Sequence, residues 1–152
     1  MANMFWSFRG ASETSEPGMT MISDRLFVYG TLMRGFDYPM AKLLSANADF
    51  LGEATCRGRL YLVRRYPGLV LSDDVCDVVH GELFSLRARE AMLAEFDMYE
   101  ACGEGFEEPT EYVRQMLAVR LADGSSSEAW TYVYNWPVTK LPRIVSGRFR
   151  EN

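Results

Sequence analysis

The sequence is poor in the residues that build metal centres and disulfide frameworks. It has three cysteines, Cys56, Cys76 and Cys102, and a single histidine, His80, among 152 residues. The cysteines are odd in number and lack CxxC spacing, so neither a disulfide framework nor a zinc site is predicted. We expect free thiols in a reducing compartment, and hence a cytoplasmic protein. His80 has apolar neighbours and no second imidazole, which favours a structural role.

Two further absences exclude whole classes of function. No run of Lys or Arg forms a basic stripe, and the formal net charge is −5, so we predict no nucleic-acid partner. No stretch approaches the roughly 20 apolar residues that a membrane-spanning helix needs, so we predict no membrane partner. What the chain does contain is 48% hydrophobic and 13% aromatic residues. This composition is typical of one globular domain with a substantial core.

The first 24 residues differ from the rest in composition. They are rich in Ser, Thr, Gly and Glu and carry a short aromatic patch that includes Phe5 and Trp6. A basic start followed by an apolar run, the mark of a secretory signal, is missing. We therefore expect residues 1–24 to be an extension that is poorly structured or docked on a partner, and residues 25–152 to form the domain.

The hydrophobic pattern of residues 25–152 predicts mostly strands with two helices between them. A buried strand ends at Gly30, and Ser85 is the expected cap of the second helix. Helices are predicted at about 40–47 and 87–100, and strands within 50–63, 69–72, 78–84, 112–121 and 128–134. The sum is a mixed α+β domain with a curled or closed sheet.

Glu100 is the first candidate for chemistry. It continues the apolar stripe of the second helix, four residues after Phe96 and seven after Leu93. Desolvation, the negative end of the helix dipole and the like charge of Asp97 would each raise its pKa. A carboxyl group tuned in this way suits proton transfer near neutral pH. The alternative is a frayed helix end that points Glu100 to water.

The second candidate is the segment Tyr29-Gly30-Thr31-Leu32. A strand that stops at Gly leaves consecutive backbone N–H groups free, and Gly lets a ligand approach the main chain. Such a segment suits a carboxylate or a developing oxyanion. An ordinary turn between strand and loop is the alternative.

Taken in order, these motifs carry a resemblance. LFVYGTL, GRLY, YPG, VHGELF, FDMYE, EYVR, AWTYVY and IVSGRF follow one another from about Arg25 to Phe149. The series resembles the γ-glutamylcyclotransferase-like family, in which YGTL matches the substrate loop and Glu100 matches the catalytic Glu. With Thr at its third position, the motif looks most like the γ-glutamylamine and small bacterial branches. Two departures are Phe96 and Ala101, where the family often has Leu and Gly.

The resemblance implies a small, mostly antiparallel β-barrel-like fold flanked by two or more helices. It also implies an enzyme that releases 5-oxoproline from a small γ-glutamyl substrate without metal or cofactor. Tyr112 matches a family tyrosine near the substrate, with a core position as the alternative. Arg114 lies on the same strand face and could pair with Asp97, Glu100 or a substrate carboxylate, the alternative being a surface ion pair. Assembly as a homodimer is left open.

The implied reaction makes chemical sense. The α-amine of a γ-glutamyl group can attack the γ-carbonyl and close a five-membered ring. Glu100 would take the proton of the ammonium and return one to the departing nitrogen, while N–H groups of residues 30–32 hold the substrate. Two alternatives stay open: a catalytically silent module that binds small acids, and an acyl-transfer enzyme that acts on a γ-glutamylated metabolite. The leaving group depends on the loops 33–39 and 101–111.

Overall fold

The computed structural model describes residues 23–101, 103 and 105–150. The predicted extension over residues 1–24 therefore lies almost wholly outside the described residues, and so does Cys102. In chain order the elements are β1 (Arg25–Val28), α1 (Pro39–Asn47), β2 (Ala48–Leu62), β3 (Pro67–Leu71), β4 (Val78–Leu86), α2 (Arg89–Tyr99), β5 (Tyr112–Leu121), β6 (Ser126–Tyr134) and β7 (Arg143–Ile144).

Five of these strands close into a barrel. Their order around the ring is β2, β4, β1, β6 and β5, and β5 returns to pair with β2 through Ala54 and Thr55. The β1–β6 pair is parallel and the other pairs are antiparallel. Strands β3 and β7 lie outside the ring and pair with the C-terminal part of β2. The predicted α+β class, with a mostly antiparallel barrel-like sheet flanked by helices, is confirmed.

Closure depends on the length of β2, which pairs with four other strands. The register against β4 shifts between Phe50 and Gly52, and Gly52 has a φ of 143°. Such a bulge bends a strand and increases its twist, and a glycine accepts the backbone conformation at no steric cost. Gly52 therefore turns β2 around the barrel without ending it.

Alternation along the strands divides the core in two. On β1, Phe27 faces the barrel interior, where it packs with Leu60, Val79 and Leu83. Its neighbours Leu26 and Val28 face outward into a second core beneath the helices, with Leu44 of α1 and Phe96 of α2 among its members. Opposite faces of a strand thus serve two cores, and β1 is buried on both sides.

One local prediction is wrong. Ser85 does not cap α2, because it lies within β4 and pairs with Arg25 on one side and Asp49 on the other. Ladder pairing holds its backbone in the extended region, and α2 begins later, after an Ala88 N-cap without a side-chain hydrogen bond. Within the described residues, no helix has the length and apolar character needed to cross a membrane.

Candidate functional site

A cavity of about 450 Å³ opens between the end of β1, the C-terminal end of α2 and the start of β5. Six of the seven predicted site residues line it, which brings together parts of the chain up to 83 positions apart. They are Tyr29, Gly30, Thr31, Leu32, Glu100 and Tyr112. Other lining residues include Tyr38, Arg65, Tyr66, Pro67, Tyr99, Glu111 and Tyr132.

Glu100 stands at the C-terminal end of α2. Its N–H donates to the carbonyl oxygen of Phe96 at 2.8 Å, so the backbone position is fixed by the last helical turn. The carboxyl group makes no hydrogen bond or ion pair with any residue in the described part of the chain. A carboxyl group without a protein partner can exchange a proton with a molecule in the cavity.

The surroundings of Glu100 disfavour its charged form. Burial is the largest cause of a pKa raised from 4.5 to about 8, followed by the negative charges of Glu111 and Asp97. Desolvation and like charge act in the same direction, since each makes deprotonation more costly. Glu100 therefore changes its charge close to neutral pH, where a general acid–base group is most effective.

The segment 29–32 presents backbone donors to the same cavity. The N–H groups of Gly30, Thr31 and Leu32 donate to no described residue, while the carbonyl oxygen of Gly30 accepts from Met33 N–H at 3.0 Å. A Cβ on Gly30 would lie 2.8 Å from Cγ of Pro67. The turn thus needs a glycine to pass the β2–β3 hairpin, and its donors can bind an anionic or polarised oxygen.

Tyrosine hydroxyls hold the walls of the cavity in place. Tyr29 donates to the carbonyl oxygen of Tyr132 at 2.6 Å and accepts from the N–H of Leu69 at 3.2 Å. Tyr112 donates to the carbonyl oxygen of Pro67 at 2.7 Å. Burial, as the largest cause, raises the pKa of both phenols, so they remain donors across the physiological range. Tyr112 therefore lines the cavity, while its hydroxyl is already bonded to the main chain of the β2–β3 hairpin.

Arg114 is not among the described residues that line the cavity. Its guanidinium binds Asp97 at both oxygens, with Nε–Oδ1 and Nη2–Oδ2 distances of 2.8 and 3.0 Å. Tyr132 donates its hydroxyl to Oδ1 of Asp97 at 2.7 Å. Of the partners considered for Arg114, the structure therefore shows Asp97. The pair joins β5 to the helical turn that precedes Glu100, so it positions that turn.

Sequence patterns did not identify the wall formed by the β2–β3 hairpin. Tyr66 donates its hydroxyl to Oε2 of Glu111 at 2.8 Å, and burial raises its pKa to about 12. In the sequence, Tyr66 and Pro67 stood out only as part of the motif YPG, and Glu111 only within EYVR and the loop 101–111. No local signal could have found them, because the close approach of Pro67 to Gly30 that places the hairpin beside the loop exists only in the folded chain.

Ala101 offers a test of the helix end. It has a φ of 54°, a left-handed conformation in which a Cβ is strained and glycine is favoured. We expect Ala101→Gly to raise the free energy of unfolding by about 1 kcal/mol, as measured by urea denaturation. Ala94→Gly, at an exposed position within α2, is the matched control and should lower it by about 1 kcal/mol. Destabilisation by Ala101→Gly would contradict the assigned helix end.

The cavity combines a carboxyl group with backbone N–H donors, an arrangement that can perform proton transfer on a bound molecule. A carbonyl or carboxylate held by the N–H groups of residues 30–32 would lie in the same cavity as the Glu100 carboxyl. Across the described residues, no three His, Cys, Asp or Glu side chains form a group that could hold a metal ion.

Comparisons with known proteins extend over nearly the whole domain. Residues 26–151 match the family described as "Gamma-glutamyl cyclotransferase, AIG2-like". The chain is 36% identical over 126 residues to the gamma-glutamylcyclotransferase family protein YtfP of Escherichia coli strain K12, covering 81% of this chain and 93% of that protein.

Among the solved structures that share the fold are two relatives of this chain. One is the crystal structure of an AIG2-like protein from Mus musculus, with a TM-score of 0.66 and 26% identity, covering 84% of this chain and 88% of that one. The other is the solution structure of ytfP from Escherichia coli, with a TM-score of 0.54 and 34% identity, covering 82% and 95%. This chain therefore belongs to the gamma-glutamyl cyclotransferase, AIG2-like family.

Proposed function

We propose that this protein is a γ-glutamylcyclotransferase-type enzyme that converts a γ-glutamyl group to 5-oxoproline and releases an amine or amino acid. The observation that carries the proposal is the Glu100 carboxyl group, with its raised pKa and no protein partner, in one cavity with three free backbone donors. Family membership supports cyclotransferase chemistry. The cavity volume of about 450 Å³ suits a small-molecule substrate.

The reaction requires a proton to move twice. The α-ammonium of the substrate has a reference pKa of about 8, close to the value of about 8 for Glu100. Transfer to ionised Glu100 is therefore nearly balanced in free energy. The freed amine attacks the γ-carbonyl carbon, a C–N bond forms in the new ring, and the C–N bond to the leaving group breaks. Glu100 returns its proton to the departing nitrogen, and the ring nitrogen passes its second proton to the released amine, so the products are a neutral lactam and an ammonium ion.

The backbone donors at residues 30–32 have two candidate roles in this scheme. They would bind either the α-carboxylate of the substrate or the γ-carbonyl oxygen, which gains negative charge during attack. Binding in either mode orients the amine toward the carbonyl carbon and replaces a chance encounter by a fixed geometry. No step needs an electron acceptor or an external nucleophile.

A panel of γ-glutamyl compounds tests the proposal. It would contain γ-glutamyl amino acids, γ-glutamyl-ε-lysine, γ-glutamyl alkylamines and glutathione, with 5-oxoproline quantified by mass spectrometry. The matched controls are α-glutamyl isomers, which cannot release their amine by closing this ring. Release from at least one γ-glutamyl compound and from no α-isomer is expected. If none reacts while 5-oxoproline raises the melting temperature, the protein is a binding module instead.

The pH dependence of the reaction should respond to Glu111. Since Glu100 must be ionised to accept a proton, kcat/KM should rise with pH through an apparent pKa near 8. Glu111→Gln removes the largest charge-based cause of the raised pKa, so the profile should move to lower pH. The pKa of the substrate amine is the same for both enzymes and cannot cause the shift. Glu107→Gln, an exposed position in the same loop, should leave the profile in place.

A further inference from the structure

A second cavity, of about 410 Å³, lies on another part of the barrel. We call it the outer groove, and define it by β2, β4 and β5 around Thr55, His80 and Arg120, together with the C-terminal segment 148–150. It shares no lining residue with the cavity that contains Glu100. The outer groove is therefore a separate concave surface.

Strand register brings three polar side chains into one row of this groove. Thr55 on β2 pairs directly with His80 on β4 and with Arg120 on β5. Directly opposed residues project from the same face of a sheet with their Cβ atoms about 5 Å apart. Their strand neighbours Ala54, Val79 and Val119 fill the barrel interior. The row of Arg120, Thr55 and His80 consequently faces outward, into the groove.

In the outer groove, positively charged side chains outnumber negatively charged ones. Among the described residues, the guanidinium groups of Arg120, Arg148 and Arg150 have no ion-pair or hydrogen-bond partner. The two groove carboxylates are Glu82 and Glu53, and Glu82 already accepts from Arg34, at 2.8 Å from its N–H and 3.5 Å from its Nε. Three guanidinium groups thus face one uncommitted carboxylate in a chain whose formal net charge is −5.

The imidazole of His80 reports this imbalance. Burial and then the positive charge of Arg148 lower its pKa, while Glu53 acts in the opposite direction. The charged residues that line the groove with this ring are Glu53 on β2, Glu82 on β4, Arg120 on β5, and Arg148 and Arg150 of the C-terminal segment, and of these Arg148 and Glu53 act on the pKa of the ring. A bound anion would offset the arginine charges and favour the protonated ring.

We propose that the outer groove binds a small dianionic oxyanion, a phosphate or a dicarboxylate, between Arg120 of β5 and Arg148 of the C-terminal segment, with the hydroxyl of Thr55 beside Arg120 on the neighbouring strand β2. Guanidinium groups match the geometry of both oxyanions, since their parallel N–H groups donate to two oxygens at once. Two arginines from different elements suit a ligand with two charges. This site is independent of the proposed cyclotransferase reaction.

His80 makes the proposal directly measurable. It is the only histidine in the chain, so its ring C–H signals in a nuclear magnetic resonance spectrum need no further assignment. Inorganic phosphate and succinate would be titrated separately at constant ionic strength. We expect a saturable shift of the His80 signals and a higher His80 pKa with at least one of them. Arg120→Gln and Arg148→Gln should each weaken binding about tenfold or more, as loss of a charge-assisted hydrogen bond implies.

Matched controls separate this site from general charge effects. Arg64→Gln removes an exposed arginine outside both cavities, and Glu100→Gln alters only the other cavity; neither should change the affinity. Saturation with phosphate alone or with succinate alone identifies the oxyanion class. The proposal would be overturned by a shift that grows linearly without saturation, by no shift with either probe, or by an affinity in Arg120→Gln and Arg148→Gln that equals that of the unsubstituted protein.

Discussion

Glu100→Gln is expected to lower the rate of 5-oxoproline release by about 10²- to 10⁴-fold, the range typical for loss of a general acid–base group. Glutamine keeps the size and shape of the side chain but cannot take up or return a proton. Because the carboxyl group has no protein partner among the described residues, the variant should fold normally. Steady-state kinetics on a reactive γ-glutamyl compound would measure the loss.

The same variant should change how stability depends on pH. The pKa of Glu100 is raised from 4.5 to about 8, so the folded protein holds this proton more tightly than the unfolded chain does. The resulting stabilisation is fully present below pH 4.5 and is lost as pH rises through 8. Glu100→Gln should remove this contribution, visible in urea denaturation at several pH values. Glu95→Gln, an exposed control on α2, should alter neither the rate of 5-oxoproline release nor the pH dependence of stability. Undiminished release by Glu100→Gln would refute the catalytic role of Glu100.

Of all the substitutions proposed, those that break the Asp97–Arg114 pair should lower the free energy of unfolding the most. The two side chains are only 22% and 14% exposed, and two hydrogen bonds of 2.8 and 3.0 Å join them. Asp97→Asn leaves the guanidinium without its counter-charge in a poorly solvated site. We expect the free energy of unfolding to fall by about 2–4 kcal/mol, below the full cost of a wholly buried pair because some solvent remains. Urea denaturation at neutral pH would measure it.

A double-mutant cycle isolates the interaction energy between Asp97 and Arg114 from the effects of each substitution on its other neighbours. Arg114→Met should cost a similar amount, and the double variant should cost clearly less than the sum of the two, since no charge is left alone. Asp49→Asn provides the control, because the Asp49–Arg87 pair has a similar distance of 2.7 Å but side chains that are 62% and 58% exposed. Equal losses at the two sites would show that burial does not decide the effect.

Local patterns predicted the elements of this fold better than their assembly. The strand expected at 112–121 is β5, and the helix expected at 40–47 is α1 within one residue. For residues 50–63, however, the pattern predicted strand structure without its extent, whereas β2 runs unbroken from Ala48 to Leu62 through Gly52 and Gly58. Periodicity describes the faces of one segment, and it carries no information about β5 returning to pair with β2 at Ala54. Closure is a long-range property that follows from twist and bulge together.

Prediction of the site divided along similar lines. Glu100 and the segment 29–32 each carry a local signal, a carboxylate on an apolar stripe and a strand that stops at glycine. Arg65 and Tyr66 carry none, because their position in the cavity depends on the β2–β3 hairpin folding back over Gly30. The partner of Arg114 depends on helix-to-sheet packing in the same way. Residues that act through tertiary proximity were visible only in the structure.

The hairpin wall gives this scaffold a practical use in enzyme engineering. Glu100 and the backbone donors are held by a helix end and a strand end, whereas Arg64 and Arg65 are the exposed residues of the connection between β2 and β3. The hydroxyl of Tyr112 fixes the hairpin at the carbonyl oxygen of Pro67, just beyond this connection. These two positions can therefore be randomised in a library while Tyr66 and the anchor at Pro67 stay in place. Such a library would vary the wall of the cavity without changing Glu100, the group proposed to transfer the proton.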